Sequence, residues 1–487
     1  MAIGRLRSET FDVLILGGGI NGAGTARDLA LRGRGKLNVG LVEQNHFSSG
    51  TSGKNSHLIH GGLRYLKQFD FKLVREALHE RAVLLKIAPH LIDPQPFLMP
   101  ISGFAESLYS DLGLTIYDFF DGSGALPWHR RLSLKEVRGL EPGLAAPGMR
   151  GAMEFYDGQC RSARLVLENV FEAVRNGAAC ANYVRAERHA RDEKGLWRVE
   201  LRDSISGETF EARARALIDS TGPWAQAPAP RLVRGSHIVM PRLNQSKHAI
   251  AHFEEDGRII FFLPWGERGE RTLIGTTDVD HDGSPDNVHI SDDEKQYLRT
   301  IATRIFPASA KLDPVATFSS LRPLLPSHAP ATKATREHHI YRDPQGIIRI
   351  TGGKYTTYRA MSEEAADLVT EEVAPRLRNV HLTATTALNG NTPDALKALL
   401  KSIPALSAQY GVAESEIMML IRQYGVLTGA VLNYVPAAEV VGRVNVDAAR
   451  FVFAAKHEMA MAARDFLDVS TSLGLEGYDA PLPPASI

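Results

Sequence analysis

The sequence predicts an α/β protein with a Rossmann-type unit, a second unit built on an antiparallel sheet, and a C-terminal helical region. Three patterns indicate this fold class. A strand, a glycine-rich turn, a helix and a second strand follow one another near the amino end. Short β-branched runs cluster between about residues 235 and 278, and strand patterns stop after about residue 388.

The amino-terminal segment has the order expected of a βαβ unit. Phe11–Leu16 has the composition of a buried strand, small apolar residues then recur at helical spacing up to Gly33, and the apolar run Val39–Val42 ends at Glu43. Because parallel strands need a crossover between them, this order predicts a parallel sheet with helices packed on it.

The remaining strands are predicted from short apolar runs bounded by turn residues. They are Trp197–Leu201, Ala216–Asp219, His248–Phe253, Arg258–Leu263, Thr272–Thr276 and Gly346–Thr351. Between about residues 65 and 140 the pattern favours helices and loops, and after residue 388 it favours amphipathic helices.

One apolar stretch, Phe97–Phe120, raises the question of lipid contact. All of its charges are acidic, and acidic side chains do nothing for adhesion to an anionic membrane leaflet. We therefore interpret this stretch as core packing.

Composition excludes several classes of protein. The chain has 487 residues, 56 basic and 56 acidic side chains, 44% hydrophobic and 23% charged residues. These values describe a globular protein of two or three domains and argue against a dedicated nucleic-acid binder. Cys160 and Cys180 lack zinc-ligand spacing and favour the cytoplasm, and neither an export signal nor a membrane-spanning run is visible.

The glycine-rich turn has the spacing of a dinucleotide-binding loop at Gly17, Gly19 and Gly22. The first glycine permits a tight turn, the second lets a pyrophosphate approach the backbone, and the third lets helix and strand pack closely. Glu43 lies about 20 residues further on, where a carboxylate accepts hydrogen bonds from a ribose. The loop alone does not distinguish NAD from FAD. Two later turns, Thr221-Gly222 and Gly352-Gly353, each follow a strand and favour one extended cofactor.

Five further motifs, in this order, closely resemble those of the FAD-dependent, respiratory glycerol-3-phosphate dehydrogenases. They are Ser56–Leu66, Gly235–His237, Gly275–Asp278, Leu321–Leu324 and Gly352–Arg359. The resemblance runs from the amino end to about residue 385. It implies a D-amino-acid-oxidase-like flavoprotein that oxidises sn-glycerol 3-phosphate to dihydroxyacetone phosphate and passes electrons through FAD to membrane quinone. It also implies peripheral association with the cytoplasmic face of the inner membrane; a homodimer is left open.

On this basis we predict three structural parts. A Rossmann-type FAD-binding part comprises about 1–75, 150–230 and 335–387; a substrate part with the antiparallel sheet comprises about 76–149 and 231–334; and 388–487 form a C-terminal helical domain.

The resemblance also suggests roles for individual side chains. His237 is our choice for the general base, because imidazole titrates near neutral pH. Stabilisation of the developing alkoxide by Arg322 is the alternative or additional contribution, and the sequence does not separate the two roles. A phosphate dianion requires several donors. The predicted substrate-binding residues are Arg64, Tyr65, Arg336 and Lys354. The predicted FAD-binding residues are Gly17, Gly19, Gly22, Glu43, Thr51, Ser52, His60, Gly61, Thr221, Gly222, Gly352, Gly353, Lys354 and Thr356.

Some positions depart from the family pattern. Lys is usual where His57 stands, and an acidic residue is usual where Arg161 or Ser162 stands. His57 and His60 are three residues apart, but no further ligand cluster follows, so we predict no metal site. The alternative function is a flavin oxidase of the same fold that uses oxygen and acts on another small hydroxy or amino acid.

Overall fold

A computed structural model describes residues 2–66, 70–226, 229–327, 330, 337–435, 439–440, 443–444 and 446–478. Its helices are α1 (Ala2–Ser8), α2 (Ile20–Gly33), α3 (Leu63–Leu66), α4 (Phe71–Ile87), α5 (Phe104–Asp121), α6 (Leu134–Leu140), α7 (Ser162–Arg175), α8 (Asp292–Ile305), α9 (Tyr358–Val373), α10 (Pro393–Lys401), α11 (Ile403–Tyr410), α12 (Glu414–Tyr424), α13 (Thr428–Leu432), α14 (Val446–His457) and α15 (Ala463–Asp465).

Its strands are β1 (Thr10–Leu16), β2 (Val39–Val42), β3 (Leu58–Ile59), β4 (Ile92–Ile101), β5 (Arg130–Ser133), β6 (Gly151–Cys160), β7 (Ala179–Ala181), β8 (Val184–Arg191), β9 (Trp197–Asp203), β10 (Thr209–Asp219), β11 (Arg231–Pro241), β12 (Ala249–Phe253), β13 (Ile259–Trp265), β14 (Arg271–Gly275), β15 (Val279–Asp280), β16 (Ala316–Leu324), β17 (His338–Arg342), β18 (Ile348–Gly352), β19 (Glu439–Val440) and β20 (Arg443–Val444).

The first sheet contains the predicted βαβ unit. β1 pairs in parallel with β2 and with β10, and β10 pairs in parallel with β18. Helices α2, α7 and α9 cover this sheet, and their apolar faces form one buried core with it. The α/β fold class with a Rossmann-type unit is therefore confirmed, and the carboxyl ends of the parallel strands lie together, where ligands bind in such sheets.

The second sheet is mixed but mostly antiparallel. Its path runs β15-β11-β14-β13-β12-β4-β6-β3, with β16 paired to β11 and β5 paired to β6. β12 and β4 are its parallel pair. The predicted antiparallel sheet is present, and helices and loops predominate between 65 and 140 as predicted, together with strands β4 and β5. Strand β6, at the start of the segment from about residue 150 that we assign to the FAD-binding part, pairs with β4 along its whole length.

The C-terminal helices form a core of their own and attach to the rest through buried ion pairs. Residues of α11 to α14 pack together. Arg450 of α14 lies 2.7 Å from Glu267, in the turn between β13 and β14, and Arg164 of α7 pairs with Glu458. The helical character predicted after residue 388 is present, and the two short strands β19 and β20 interrupt it.

Helix α5 departs from the interpretation of 97–120 as core. Phe97 of β4 is buried, as expected, but Phe104, Leu108, Leu112 and Phe119 of α5 are exposed. Core packing is therefore the wrong interpretation for the outer face of this helix. Throughout the part of the chain that the structure describes, no helix combines the length and apolar character needed to cross a bilayer.

Candidate active site

A cavity of about 890 Å³ is lined by residues from both sheets. Most of the site residues predicted from the sequence line it. They are Gly17, Gly19, Glu43, Thr51, Ser52, His60, Tyr65, Thr221, Gly222, His237, Arg322, Gly352, Gly353 and Lys354. Segments far apart in the sequence therefore meet at one site.

The glycine loop lies between β1 and α2, and close backbone contacts explain its composition. Gly17 has a φ of +99°, a conformation that favours glycine. A Cβ atom at Gly22 would lie 1.9 Å from the carbonyl oxygen of Gly17 and 2.6 Å from Ser220 Oγ. The third glycine thus permits close packing of helix and strand, as the spacing predicts.

The start of α2 faces polar side chains. Ser52 Oγ accepts a hydrogen bond of 2.9 Å from the backbone N–H of Ile20, the first residue of the helix. Thr51 Oγ1 donates to the carbonyl oxygen of Leu321 at 2.5 Å, which ties this loop to β16 of the second sheet. Backbone N–H groups at a helix start favour anions such as phosphate.

Glu43 lies directly after β2, on the wall of the cavity. Its carboxylate accepts hydrogen bonds from the backbone N–H groups of Gly18 and Asn45, at 2.7 and 2.9 Å. Burial raises the pKa of this carboxyl above its ordinary value. The side chain therefore fixes the shape of the glycine loop, a role that the sequence did not indicate.

The loop at residues 60–62 is held by buried polar contacts. The backbone N–H of Gly61 donates to Tyr117 Oη at 2.8 Å, and Thr356 Oγ1 accepts from the N–H of His60 at 3.1 Å. Burial, with smaller contributions from Lys354 and Arg81, lowers the pKa of His60 to about 3. The His60 side chain is thus neutral at physiological pH.

Lys354 follows the paired glycines after β18. Gly352 and Gly353 have φ values of +74° and +87°, and a short 3₁₀ turn, Tyr355–Thr357, leads into α9. The Lys354 ammonium lies 3.9 Å from the centre of the Tyr65 ring, a cation–π arrangement. The structure therefore brings together two predicted substrate-binding residues.

His237 lies buried on β11. Its Nε2 atom is 2.9 Å from Ser56 Oγ, and its ring stacks on Phe318 with centroids 5.0 Å apart. Burial, with added repulsion from Arg322 and His57, lowers its pKa well below the ordinary value for histidine. The imidazole is therefore neutral near pH 7 and able to accept a proton.

Arg322 lies on β16 and is held by the loop that follows β14. Its guanidinium donates to the carbonyl oxygen of Thr277 at 3.1 Å, to Asp278 Oδ1 at 2.8 Å and to Thr276 Oγ1 at 2.9 Å. The Asp278 carboxylate is almost fully buried. The motif Gly275–Asp278 therefore fixes the position of this arginine on the cavity wall.

Strand register explains the glycines of two motifs. β11 pairs with both β14 and β16, which places His237 opposite Gly275. A Cβ atom at Gly275 would lie 2.3 Å from the His237 ring, and one at Gly235 would lie 2.4 Å from the Arg322 guanidinium. These glycines leave room for the two predicted catalytic side chains.

Sequence reasoning missed three positioning side chains. Ser56 bonds to His237, Phe318 stacks on it, and Asp278 pairs with Arg322. Ser56 and Asp278 stand inside motifs that the sequence analysis quoted, so their place in a motif was the available signal. Phe318 gave none, because an aromatic residue in a strand usually belongs to the core.

The other predicted residues either do not line the cavity or lie outside the part of the chain that the structure describes. Gly22, Gly61 and Thr356 stand behind the cavity wall and hold it in place. The side chain of Arg64 and the whole of Arg336 lie outside the described residues.

The two departures from the family pattern meet in the fold. His57 Nδ1 lies 3.2 Å from Ser162 Oγ, and the His57 ring stacks on Trp265. Burial lowers the pKa of His57 to about 4, so a neutral pair occupies these two positions. Within the described ranges, no group of three or more His, Cys, Asp or Glu side chains is arranged to hold a metal ion.

Comparison with known proteins adds three findings. A family model described as FAD dependent oxidoreductase matches residues 12–414. The aerobic glycerol-3-phosphate dehydrogenase of Escherichia coli (strain K12) is 36% identical over 441 residues, which cover 86% of this chain and 84% of that protein. The D-erythritol 1-phosphate dehydrogenase of Brucella abortus (strain 2308) is 38% identical over 372 residues, which cover 73% and 72%.

A solved structure is similar over nearly the whole chain. It is the glycerol-3-phosphate dehydrogenase from Bacillus halodurans complexed with FAD, with a TM-score of 0.78 and 27% sequence identity. The match covers 98% of this chain and 88% of that one. The similarity therefore includes the C-terminal helices as well as the two sheets.

Proposed function

Because this chain belongs to the FAD dependent oxidoreductase family, we propose that it oxidises sn-glycerol 3-phosphate to dihydroxyacetone phosphate and passes the electrons to membrane quinone. One observation carries the substrate part of this proposal. A neutral buried imidazole, His237, shares a cavity with the cations Arg322 and Lys354. An alcohol that carries a phosphate requires this combination, a proton acceptor beside several positive donors.

The residues present fit FAD. The glycine loop places backbone N–H groups at the start of α2, Glu43 stands where a ribose is bound in such sheets, and the cavity of about 890 Å³ has a size typical of cofactor sites. We assign the pyrophosphate to Gly17, Gly19, Ser52 and Thr51, and the remainder of the cofactor to the two later turns. When bound, FAD supplies the acceptor for the hydride of the substrate carbon.

His237 acts as the general base. Its Nε2 atom, which Ser56 Oγ contacts at 2.9 Å, accepts the proton of the substrate hydroxyl once that hydroxyl takes the place of the serine as its hydrogen-bond partner. The ring is confined between Phe318 and Gly275, which limits its orientation. Arg322, fixed by Asp278, stabilises the negative charge that develops on the substrate oxygen.

Lys354, Tyr65 and the two arginines Arg64 and Arg336 hold the phosphate. Lys354 and Tyr65 lie together on the cavity wall. Charge-assisted hydrogen bonds of this kind contribute about 1.5–3 kcal/mol each. The phosphate thereby fixes which carbon of the substrate faces the base.

We also propose a cytoplasmic location on the membrane surface, because the quinone acceptor resides in the bilayer. This part of the proposal rests on the resemblance of the motifs and on the similarity to the aerobic enzyme of Escherichia coli. The sequence leaves a homodimer open, and light scattering measures the oligomeric state.

Steady-state turnover tests the proposal. Purified FAD-loaded protein should form dihydroxyacetone phosphate from sn-glycerol 3-phosphate with a quinone analogue, and it should leave unphosphorylated glycerol almost untouched. Turnover only with another hydroxy or amino acid, or with oxygen as the sole efficient acceptor, would establish the alternative oxidase and refute the proposal.

A second substrate has a specific observation in its favour. The relative from Brucella abortus, named for D-erythritol 1-phosphate, is 38% identical to this chain. It too acts on a phosphorylated polyol. The ratio of kcat/KM for the two phosphates decides between them, and we expect the ratio to favour sn-glycerol 3-phosphate.

A further inference from the structure

Helix α5 presents an apolar stripe to solvent. Phe104, Leu108, Leu112 and Phe119 lie on one side of the helix and are 75%, 61%, 60% and 72% exposed. We call these four residues the outer stripe. At 1.5 Å per residue it is about 22 Å long. Contiguous apolar surface of this kind marks an interaction site.

The outer stripe lies in a sector without charge. With 100° per residue, about 140° of the helix surface around the stripe carries Ala105, Tyr109, Thr115 and Ile116 besides its four members, and none of these residues is charged. The opposite face, with Ser107, Leu114 and Tyr117, is buried. Apolar residues therefore lie on both the buried and the solvent-facing sides of this helix, and Glu106, Asp111 and Asp118 lie between the two sides.

The acidic residues of α5 are already engaged within the protein. Asp118 and Asp111 both contact His129, at 2.6 and 3.3 Å, and Asp121 pairs with buried Arg81 at 3.0 Å. The bond from Asp118 raises the pKa of His129, which favours its positive form. Glu106 accepts hydrogen bonds from the backbone N–H and hydroxyl of Ser102 instead. The negative charge that argued against lipid contact in the sequence is thus partly compensated, by His129.

Exposed cations and an exposed tryptophan lie on segments that adjoin α5. Trp128, 61% exposed, precedes the His129 that binds α5, and exposed Arg131 and Lys135 follow. Exposed Lys72 is the second residue of α4, which packs against α5. Tryptophan and basic residues beside an apolar helix face are typical of proteins that lie on an anionic bilayer.

The stripe also lies close to the cavity. The inner face of α5 packs on α3 and α4, and Leu63 and Tyr65 of α3 line the cavity. A bilayer in contact with α5 would therefore lie next to the wall through which a lipid-soluble acceptor has to arrive. If a second copy of the chain covered the stripe instead, the closeness of the stripe to the cavity would have no role.

We propose that the outer stripe of α5 is the surface through which this protein binds an anionic lipid bilayer. The assignment rests on the proposed delivery of electrons to a membrane quinone. The helix lies in the plane of the interface, its stripe enters the acyl boundary, and the cations of the adjoining segments contact lipid phosphates.

Vesicle flotation tests the assignment. The triple variant Phe104→Ser, Leu108→Ser, Leu112→Ser should bind vesicles of phosphatidylethanolamine and phosphatidylglycerol about 100-fold more weakly than the parent. The matched control Val174→Ser, Ile205→Ser, Met461→Ser removes three exposed apolar residues from separate places, and it should bind within about twofold of the parent. Binding of the parent should weaken on vesicles of phosphatidylcholine alone and in high salt.

The outcomes separate this surface from the proposed function. FAD content and anaerobic reduction by sn-glycerol 3-phosphate in solution should be the same in parent and triple variant, which also shows that the variant folds. Equal flotation of parent and triple variant would overturn the assignment. So would a parent that ignores vesicles but loses a dimer on substitution of the stripe. If the parent binds vesicles through the outer stripe but its FAD is not reduced by sn-glycerol 3-phosphate, the membrane-binding surface stands and only the proposed substrate is refuted.

Discussion

The glycine loop and the wall that carries His237 and Arg322 line the same cavity but are built in opposite ways. The loop is one short segment that works through backbone groups, and the space it needs is created by absent side chains. The wall is assembled from β11, β14, β16 and the loop at Ser56, and it works through side chains held by partners.

The two regions should therefore be sensitive to different substitutions. The glycine loop should lose FAD binding when side-chain atoms are added, because its closest contact is with a backbone atom that cannot move away easily. The wall should fail when charges or proton acceptors are removed, while the fold and the bound FAD remain.

The largest effect is expected for Gly22→Val. The added Cβ would lie 1.9 Å from the Gly17 carbonyl oxygen, so the loop and α2 must separate, which destabilises the fold by about 3 kcal/mol or more and abolishes FAD binding. Thermal unfolding and the flavin absorption of the purified protein measure both. Gly139→Ala, at a helical glycine whose added Cβ meets nothing within 4 Å, is the control and should be harmless. Normal FAD content in Gly22→Val would refute the account of the loop.

For His237→Ala we expect kcat to fall by about 10²–10⁴-fold with FAD content unchanged, because the proton acceptor is lost. Since the pKa of His237 lies well below its ordinary value, kcat/KM of the parent should stay level as pH falls to about 6.5 and decline only in more acidic solution, where the ring becomes protonated. The variant should lack this acid limb. The surface substitution His339→Ala is the control, and an unchanged acid limb in His237→Ala would assign the base elsewhere.

Lys354→Ala should act mainly on binding. Removal of one charge-assisted contact to phosphate should raise KM by about 10–100-fold, with kcat nearly preserved. Initial rates over a range of substrate concentrations separate the two constants, and Lys194→Ala, at an exposed turn, serves as control. Equal losses in kcat and in substrate affinity would end the proposed division of roles between Lys354 and His237.

The smallest effect is expected for Asp278→Asn. The amide keeps a contact with Arg322 but removes its buried counter-charge, so the guanidinium is less firmly placed, and kcat/KM should fall by about tenfold. Asp280→Asn, in the neighbouring and exposed pair with Arg231, should change kcat/KM little. If both variants behave alike, Asp278 does not position Arg322.

The sequence predicted the loop better than the wall, for a physical reason. A βαβ unit and its glycines are local, so spacing along the chain reports their geometry. His237 and Arg322 are 85 positions apart, and only strand register, which the sequence does not display, brings them together. Asp278 and Ser56 lie in recognised motifs, but the sequence does not show that they contact Arg322 and His237.

Two further features of the fold could not be predicted for the same reason. β4 contains Pro94, Pro96 and Pro100, which argue against a central strand, but its parallel pairing to β12 involves only Phe97 and Leu98. The acidic residues of α5 argued against lipid contact, and the sequence does not show that two of them, Asp111 and Asp118, contact His129. In both cases tertiary pairing decided what local composition could not.

The central claim is that one cavity joins a backbone cradle for FAD to a side-chain site for a phosphorylated alcohol. Anaerobic titration of the FAD-loaded protein with sn-glycerol 3-phosphate tests it most directly. We expect the flavin absorption band to bleach with about one equivalent of substrate and dihydroxyacetone phosphate to form in equal amount. The variant His237→Ala should retain the band but bleach far more slowly. A flavin that stays oxidised with this substrate, or that bleaches at the parent rate in His237→Ala, would contradict it.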